Sequence, residues 1–394
     1  MPVSLPGGLP KFEQLLSELV AKPSISSPSP SWDQGNIDIV SRLAEWFESL
    51  GFSAEVQPVP GKPNKANMIA TLGRGDGGLV LSGHSDTVPY DASKWTSDPF
   101  GLTMRDNRLF GLGTCDMKGF FAIIIEAMRA FEGLEFRQPL IVLATADEES
   151  SMSGARALAR ANTLRARAAV IGEPTSLRPV RMHKGIMMNV IRVHGKSGHS
   201  SNPALGNSAI EGMHHVVAAL LTYRNTLNNA FNNPYFSVSS PTMNLGRLHG
   251  GDSPNRICGH CELSFDIRPL PGMSVDELMA EMGGFLEDIA LKYGLEIELS
   301  PLIEPVPPFE LSADSELVRL CETLTKSTSE AVAFATEAPI LQTLGMETIV
   351  MGAGSIDQAH QPDEFLALDQ IQPMTEILRS LISHYCVNGF EHHA

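Results

Sequence analysis

The chain has 394 residues, with 29 Lys and Arg against 45 Asp and Glu, a formal net charge of −16. Hydrophobic residues at 43% beside charged residues at 19% make a globular composition rather than a disordered one. The acidic balance argues against nucleic acid or an anionic membrane surface as the main partner, since both select basic patches. The length favours two domains over one core.

Taken in chain order, Phe12, Leu15, Leu16 and Leu19 recur at helical spacing, and Val40, Leu43, Phe47 and Leu50 do so again before Gly51. Short apolar runs of strand length follow at 79–81, 140–144 and 168–171, and a further one at 348–351. They read as strands buried on both faces, hence an α/β fold with a mixed, mostly parallel sheet flanked by helices. Residues 117–131 read as a helix opened by Asp116.

From about Gly185 the pattern changes. Met188 and Val190 open a strand, Ile210, Met213, Val217 and Leu220 stripe a long helix, and Ile257, Cys261, Leu263, Phe265 and Ile267 share one strand parity. A helix over 275–293 and a strand over 295–299 complete an inserted α+β unit. The Pro-rich stretch 301–308 reads as the return linker. The predicted domains are 1–184 with 300–394, and an insert over 185–299.

No segment reaches the roughly 18–20 apolar residues a membrane span needs. The N-terminal MPVSLPGGLP lacks the basic-then-apolar order of a secretory signal. Five scattered cysteines, an odd number, suit a reducing compartment, so the cytoplasm is expected. Cys258 and Cys261 form a CxxC, but positions three apart on a strand face opposite sides. They read as structural thiols. His392 and His393 read as a solvated tail.

Side chains able to bind a metal recur directly after the apolar runs: His84 and Asp86, then Asp147, Glu148 and Glu149, then Glu173, then His360, with Asp116 opening the helix. Ligands bind outside the carboxyl ends of parallel strands, so four segments would converge on one crevice. A nitrogen and oxygen set without thiolate suits zinc or a similar divalent ion in a catalytic site, and cobalt is accepted by the same ligands. Five ligands serve two ions if one carboxylate is shared. Asp86 is spaced to orient the His84 ring. Glu148 and Glu149 point opposite ways on an extended chain, so one can ligate while the other takes a proton from water. That division suits a hydrolase.

The stretches SGHSDTVP (82–89), GLGTCDMKG (111–119), TADEE (145–149), GEPT (172–175) and GHSS (198–201) resemble the signatures of the dinuclear zinc aminoacylase/carboxypeptidase family. The resemblance implies a catalytic domain with an inserted lid and dimerisation domain, ferredoxin-like, its sheet covered by two helices. It implies two zinc ions per chain, one on His84 and Glu173, the other on Glu149 and His360, with Asp116 bridging. Glu148 would be the general base and Asp86 the orienting partner of His84. His199 would reach an active site from the lid, in relatives that of the other subunit of a dimer, and Asn255 and Arg268 would bind substrate. The implied reaction is hydrolysis of a small N-acyl amino acid by a cytoplasmic homodimer. Stretches 173–180, 336–339 and 352–364 look most like the branch that removes an acetyl group, with a desuccinylase or a dipeptidase as rivals. A non-catalytic binding protein on this fold would lack a ligand or the base, and none is lacking.

Overall fold

The computed structural model describes residues 9–387, so His392 and His393 lie outside the described residues. The chain begins with α1 (Phe12–Val20), α2 (Ile37–Ser49), β1 (Ser53–Pro58), β2 (Ala66–Leu72), β3 (Leu79–His84) and α3 (Lys118–Met128). Next come β4 (Leu140–Thr145), α4 (Ser153–Ala161), β5 (Ala168–Ile171) and β6 (Val180–His183). Then follow β7 (Met187–His194), α5 (Ala209–Ala230), β8 (Thr242–Gly250), β9 (His260–Arg268), α6 (Val275–Tyr293) and β10 (Glu296–Pro301). The chain returns through α7 (Glu316–Thr325), β11 (Glu347–Val350) and α8 (Leu368–Ile382).

One compact unit comprises the chain through Arg181, residues 311–330 and the chain from Thr336; the other comprises 182–310 with 331–335. The second unit is wider than the stretch 185–299 read from sequence. Phe309 and Glu310 pair antiparallel with His183 and Met182, and Ile186 bridges Val306. Main-chain pairing therefore draws the proline-rich stretch into this unit.

The first unit is built on a mixed sheet in the order β1-β2-β4-β3-β5-β11-β6. β4, β3, β5 and β11 run parallel, while β1, β2 and β6 join antiparallel at the margins. Every residue of β3, β4 and β5 is buried, which is why their sequences are apolar runs without alternation. α3 is buried on nearly all sides and is correspondingly apolar all round. The register sets His84 opposite Thr145, and both Ser82 and Val350 opposite Ile171. The carboxyl ends of four parallel strands thus stop at one edge, and the loops that follow leave together. β1 carries little strand signal because it is a half-exposed margin with the sequence SAEVQP.

The second unit has an antiparallel sheet in the order β8-β9-β7-β10. With α5 and α6 this is the β-α-β-β-α-β ferredoxin-like arrangement. Its core joins Ile191, Val193, Leu263 and Phe265 of the sheet to Val216 and Leu220 of α5 and Met282 and Leu286 of α6. Ser208 and Ser274 cap the two helices by accepting from Glu211 and Glu277 main-chain N–H groups. β8 is a mostly exposed edge strand with a shifted register between Leu245 and Arg247. An exposed edge has no buried face to impose alternation, so it left no pattern in the sequence. Ile257, read as part of β9, instead pairs with Gly198 in a separate short ladder.

His183 is fully buried, its Nδ1 2.8 Å from the Lys184 carbonyl and its ring 5.1 Å from Phe309. Burial pulls its pKa down from 6.5 to about 4. Between these values the unfolded chain binds a proton that the folded chain refuses, so stability falls as pH drops through that window. The loss approaches about 3 kcal/mol near pH 4. Urea unfolding of the parent and of His183→Asn should give profiles that run together above pH 7 and separate below 6. Parallel profiles down to pH 4 would contradict it.

Candidate metal centre

The loops leaving the parallel strands bring His84, Asp116, Glu149, Glu173 and His360 together. His84 Nε2 stands 2.9 Å from Asp116 Oδ1 and 3.9 Å from Glu173 Oε1. His360 Nε2 stands 3.0 Å from Glu149 Oε2 and 3.5 Å from Asp116 Oδ2. Asp116 therefore faces an imidazole with each of its oxygens. One ligand atom each from His84, Asp116 and Glu149 fits within 4.8 Å of one another.

The surroundings fix these side chains. His84 Nδ1 lies 3.0 Å from the main-chain oxygen of Asp86, whereas the Asp86 carboxylate is 3.8 Å away. The ring is thus held by the Asp86 main chain, not by the side-chain bond expected from sequence. The Asp86 carboxylate is instead engaged by the N–H groups of Glu148 and Glu149, at 3.3 and 3.2 Å. It holds the segment that carries both glutamates.

Asp147 stands at the head of that segment in the left-handed region, φ 61°. Its carboxylate takes Lys65 at 2.8 Å, Lys62 at 3.0 Å, Ser26 at 2.9 Å and Ser153 at 2.9 Å. Although burial works against ionisation, these partners, Lys65 foremost, pull its pKa down to about 2.

Two buried glutamates near the cluster were given no role by the sequence. Glu364 accepts main-chain N–H groups from Gly113, Cys115 and Asp116. Glu337 accepts from the Thr145 hydroxyl at 3.0 Å, and burial raises it to about 7. Both lie in stretches, 336–339 and 352–364, whose resemblance to one branch of the family was legible, but nothing in the sequence marked either acid as buried.

The electrostatics test whether cations fit. Burial and the charge of Glu173 push Glu148 well above its ordinary value; burial does the same to Glu173 and raises Glu149. Burial opposes a charged His84, yet the Asp116 hydrogen bond and the charges of Glu173, Asp116 and Asp86 hold its pKa well up. The Glu149 hydrogen bond lifts His360 to about 9. The carboxylates draw protons onto the imidazoles and onto one another, so the cluster is short of positive charge. Divalent ions on oxygen and imidazole donors meet that deficit. The donor set fits.

In the second unit, His199 and Asn255 share the walls of a hollow of about 360 Å³ with Ser197, Gly198 and Arg256. His199 Nδ1 lies 2.7 Å from Ser201 Oγ, and the Asn255 side chain accepts from Ser253 at 2.6 Å. Arg268 lies at the end of β9, its guanidinium 2.8 Å from Asp266.

Residues 80–384 match the sequence profile described as peptidase family M20/M25/M40. The chain belongs to this family. It is 50% identical over 378 residues to the acetylornithine deacetylase of Pectobacterium carotovorum subsp. carotovorum (strain PC1), covering 96% of this chain and 98% of that protein. Among solved structures it is similar to a tripeptidase from Staphylococcus aureus, at TM-score 0.74 and 18% identity over 95% of this chain and 97% of that one. It is also similar to a dinuclear metal-binding peptidase from Bacillus subtilis, at TM-score 0.66 and 16% identity over 94% and 96% of the two chains. Like other members of peptidase family M20/M25/M40, the chain is a hydrolase.

Asp147→Asn removes the anion from two lysines, one of them, Lys65, only 2% exposed. Breaking a buried pair costs about 3–5 kcal/mol, and Asp33 remains on Lys65, so a loss of about 3 kcal/mol is expected in urea unfolding at pH 7. A change below about 0.5 kcal/mol, the usual size of a surface substitution, would count against it.

Proposed function

We propose that this chain hydrolyses the acetyl amide of N2-acetyl-L-ornithine, releasing acetate and L-ornithine, as a step of arginine biosynthesis. The chemistry rests on one observation: the cation-deficient cluster of carboxylates and imidazoles at the ends of the parallel strands, with Glu148 beside it. The substrate rests on the likeness to the Pectobacterium deacetylase over nearly the whole of both chains.

His84 and Glu173 would hold one ion, Glu149 and His360 another, with Asp116 shared between them; zinc is the proposed metal and cobalt an acceptable substitute. Bound divalent ions polarise the acyl carbonyl and acidify water. Glu148, supported through its main-chain N–H by Asp86, takes a proton from the attacking water. It returns that proton to the α-nitrogen as the carbon–nitrogen bond breaks, and the water oxygen leaves in acetate. In this reading His199 donates to the oxyanion that develops on the acyl oxygen, and Asn255 and Arg268 hold the substrate.

A homodimer through the second unit belongs to the proposal. Among the described residues β8 pairs on one edge only, with β9, and an unpaired edge is a ready template for a second chain. The cytoplasm is the proposed location: the described cysteines are all free and buried. No helix among the described residues is long and apolar enough to cross a membrane.

Metal analysis should find about two ions per chain. Glu148→Gln should retain them while turnover drops about 10²–10⁴-fold; near-normal turnover in the metal-replete variant would refute the base assignment. In a panel of acetylornithine, succinyl-diaminopimelate and simple dipeptides, kcat/KM should be highest for acetylornithine. A clear preference for either alternative would overturn the substrate.

A further inference from the structure

Three main-chain N–H groups of the turn before α3 point at one side chain. Glu364 Oε1 accepts from Cys115 at 2.7 Å and from Asp116 at 2.9 Å, and Oε2 accepts from Gly113 at 2.9 Å. The main-chain oxygen of Glu364 also accepts from Gly111 at 3.1 Å. The turn is left-handed at Gly113, φ +84°, where an added Cβ would stand 2.9 Å from the Lys118 side chain. Gly113, Cys115 and Asp116 are buried, and Glu364 is 2% exposed. Water cannot replace the carboxylate as acceptor there without rearrangement.

We propose that Glu364 is a positioning residue of the metal centre, which sets Asp116 between the two imidazoles and ties the His360 loop to it. The proposal rests on the metal reading above. The turn Gly113–Asp116 precedes α3 and has few main-chain bonds of its own, from Thr114 to Gly111 and from Gly119 to Gly113, so the Glu364 bonds help fix the main chain from which the Asp116 side chain reaches His84. Glu364 lies four residues beyond His360, whose ring meets both Glu149 and Asp116. One loop therefore supplies a ring to one side of Asp116 and an anchor to its main chain.

The choice of side chain fits that role. A carboxyl group offers two acceptor oxygens, and both are used by the three main-chain N–H groups. An amide offers one oxygen and would turn its NH2 group toward a remaining donor.

The test uses the full-length protein. Stepwise affinities for Zn²⁺ are measured by chelator competition on the parent, on Glu364→Gln, and on Asp363→Ala as a neighbouring control. Asp363 accepts from the Thr96 N–H at the surface. Glu364→Gln should lose about 10–100-fold in affinity for at least one ion, the usual effect of removing an outer partner of a ligand. Its metal-free form should melt somewhat below the parent, since a buried N–H group loses its acceptor, and Asp363→Ala should bind as the parent does. Equal affinities in parent and Glu364→Gln would overturn the role while leaving the metal reading intact. A parent that takes up no ion would overturn both. Should Glu364→Gln fail to fold, hydrogen exchange on the parent decides: strong protection at the Gly113, Cys115 and Asp116 amides supports the role, and exchange at free rates overturns it.

Discussion

Buried negative charge at the ends of the parallel strands is the constraint on which the rest of this structure depends. A carboxylate withdrawn from water needs a donor or a cation, and the acids of this region divide accordingly. Asp86 is engaged by two main-chain N–H groups, Asp147 by two lysines and three serines, and Glu364 by three main-chain N–H groups. Those three have partners within the protein, and they hold the segments on which the others ride. Asp116, Glu149 and Glu173 meet mainly imidazoles; burial raises the pKa values of Glu149 and Glu173, while for Asp116 burial is outweighed by the His84 hydrogen bond together with the imidazole charges, which lower it. The supports find their donors within the protein, whereas these three acids face imidazoles and one another.

The sheet makes this possible. Four parallel strands in register end together, so each loop has only a short distance to cover before its acid or imidazole reaches the common edge. Burial of both faces keeps those strands rigid, and the antiparallel strands at the margins close the sheet without adding ligands. The second unit contributes a different resource: an antiparallel sheet backed by α5 and α6, with His199 and Asn255 presented on one hollow. Its edge strand β8 is the part least constrained by a core.

Much of the centre was legible because catalysis at a metal demands side chains that have no other reason to follow apolar strands. His84, Glu149, Glu173 and His360 each stand just beyond such a run, and together they are conspicuous. The supports were less visible. Asp86 could be read as a partner of the His84 ring, but only the folded chain shows that its carboxylate turns to the Glu148–Glu149 main chain. Glu364 and Glu337 fall in stretches whose family likeness is legible, but their roles are not, because burial is a property of what packs around them. The polar margin β1 and the exposed edge β8 left no periodicity, since neither has a buried face that selects residues in alternation.

What the sequence determined by itself was the class of chemistry and the plan of the fold. Apolar runs of strand length dictate buried parallel strands, and acids and histidines placed after them dictate a divalent-metal site. The charge imbalance of −16 carries no such information, since most of the described acids lie outside the buried set. Tertiary structure decided which acids find protein donors and which remain for cations. That division depends on distances between residues far apart in the chain, such as Glu364 to Asp116 and His360 to Glu149. Local patterns record spacing along the chain and burial by type, but the pairing of remote polar groups exists only once the strands are in register.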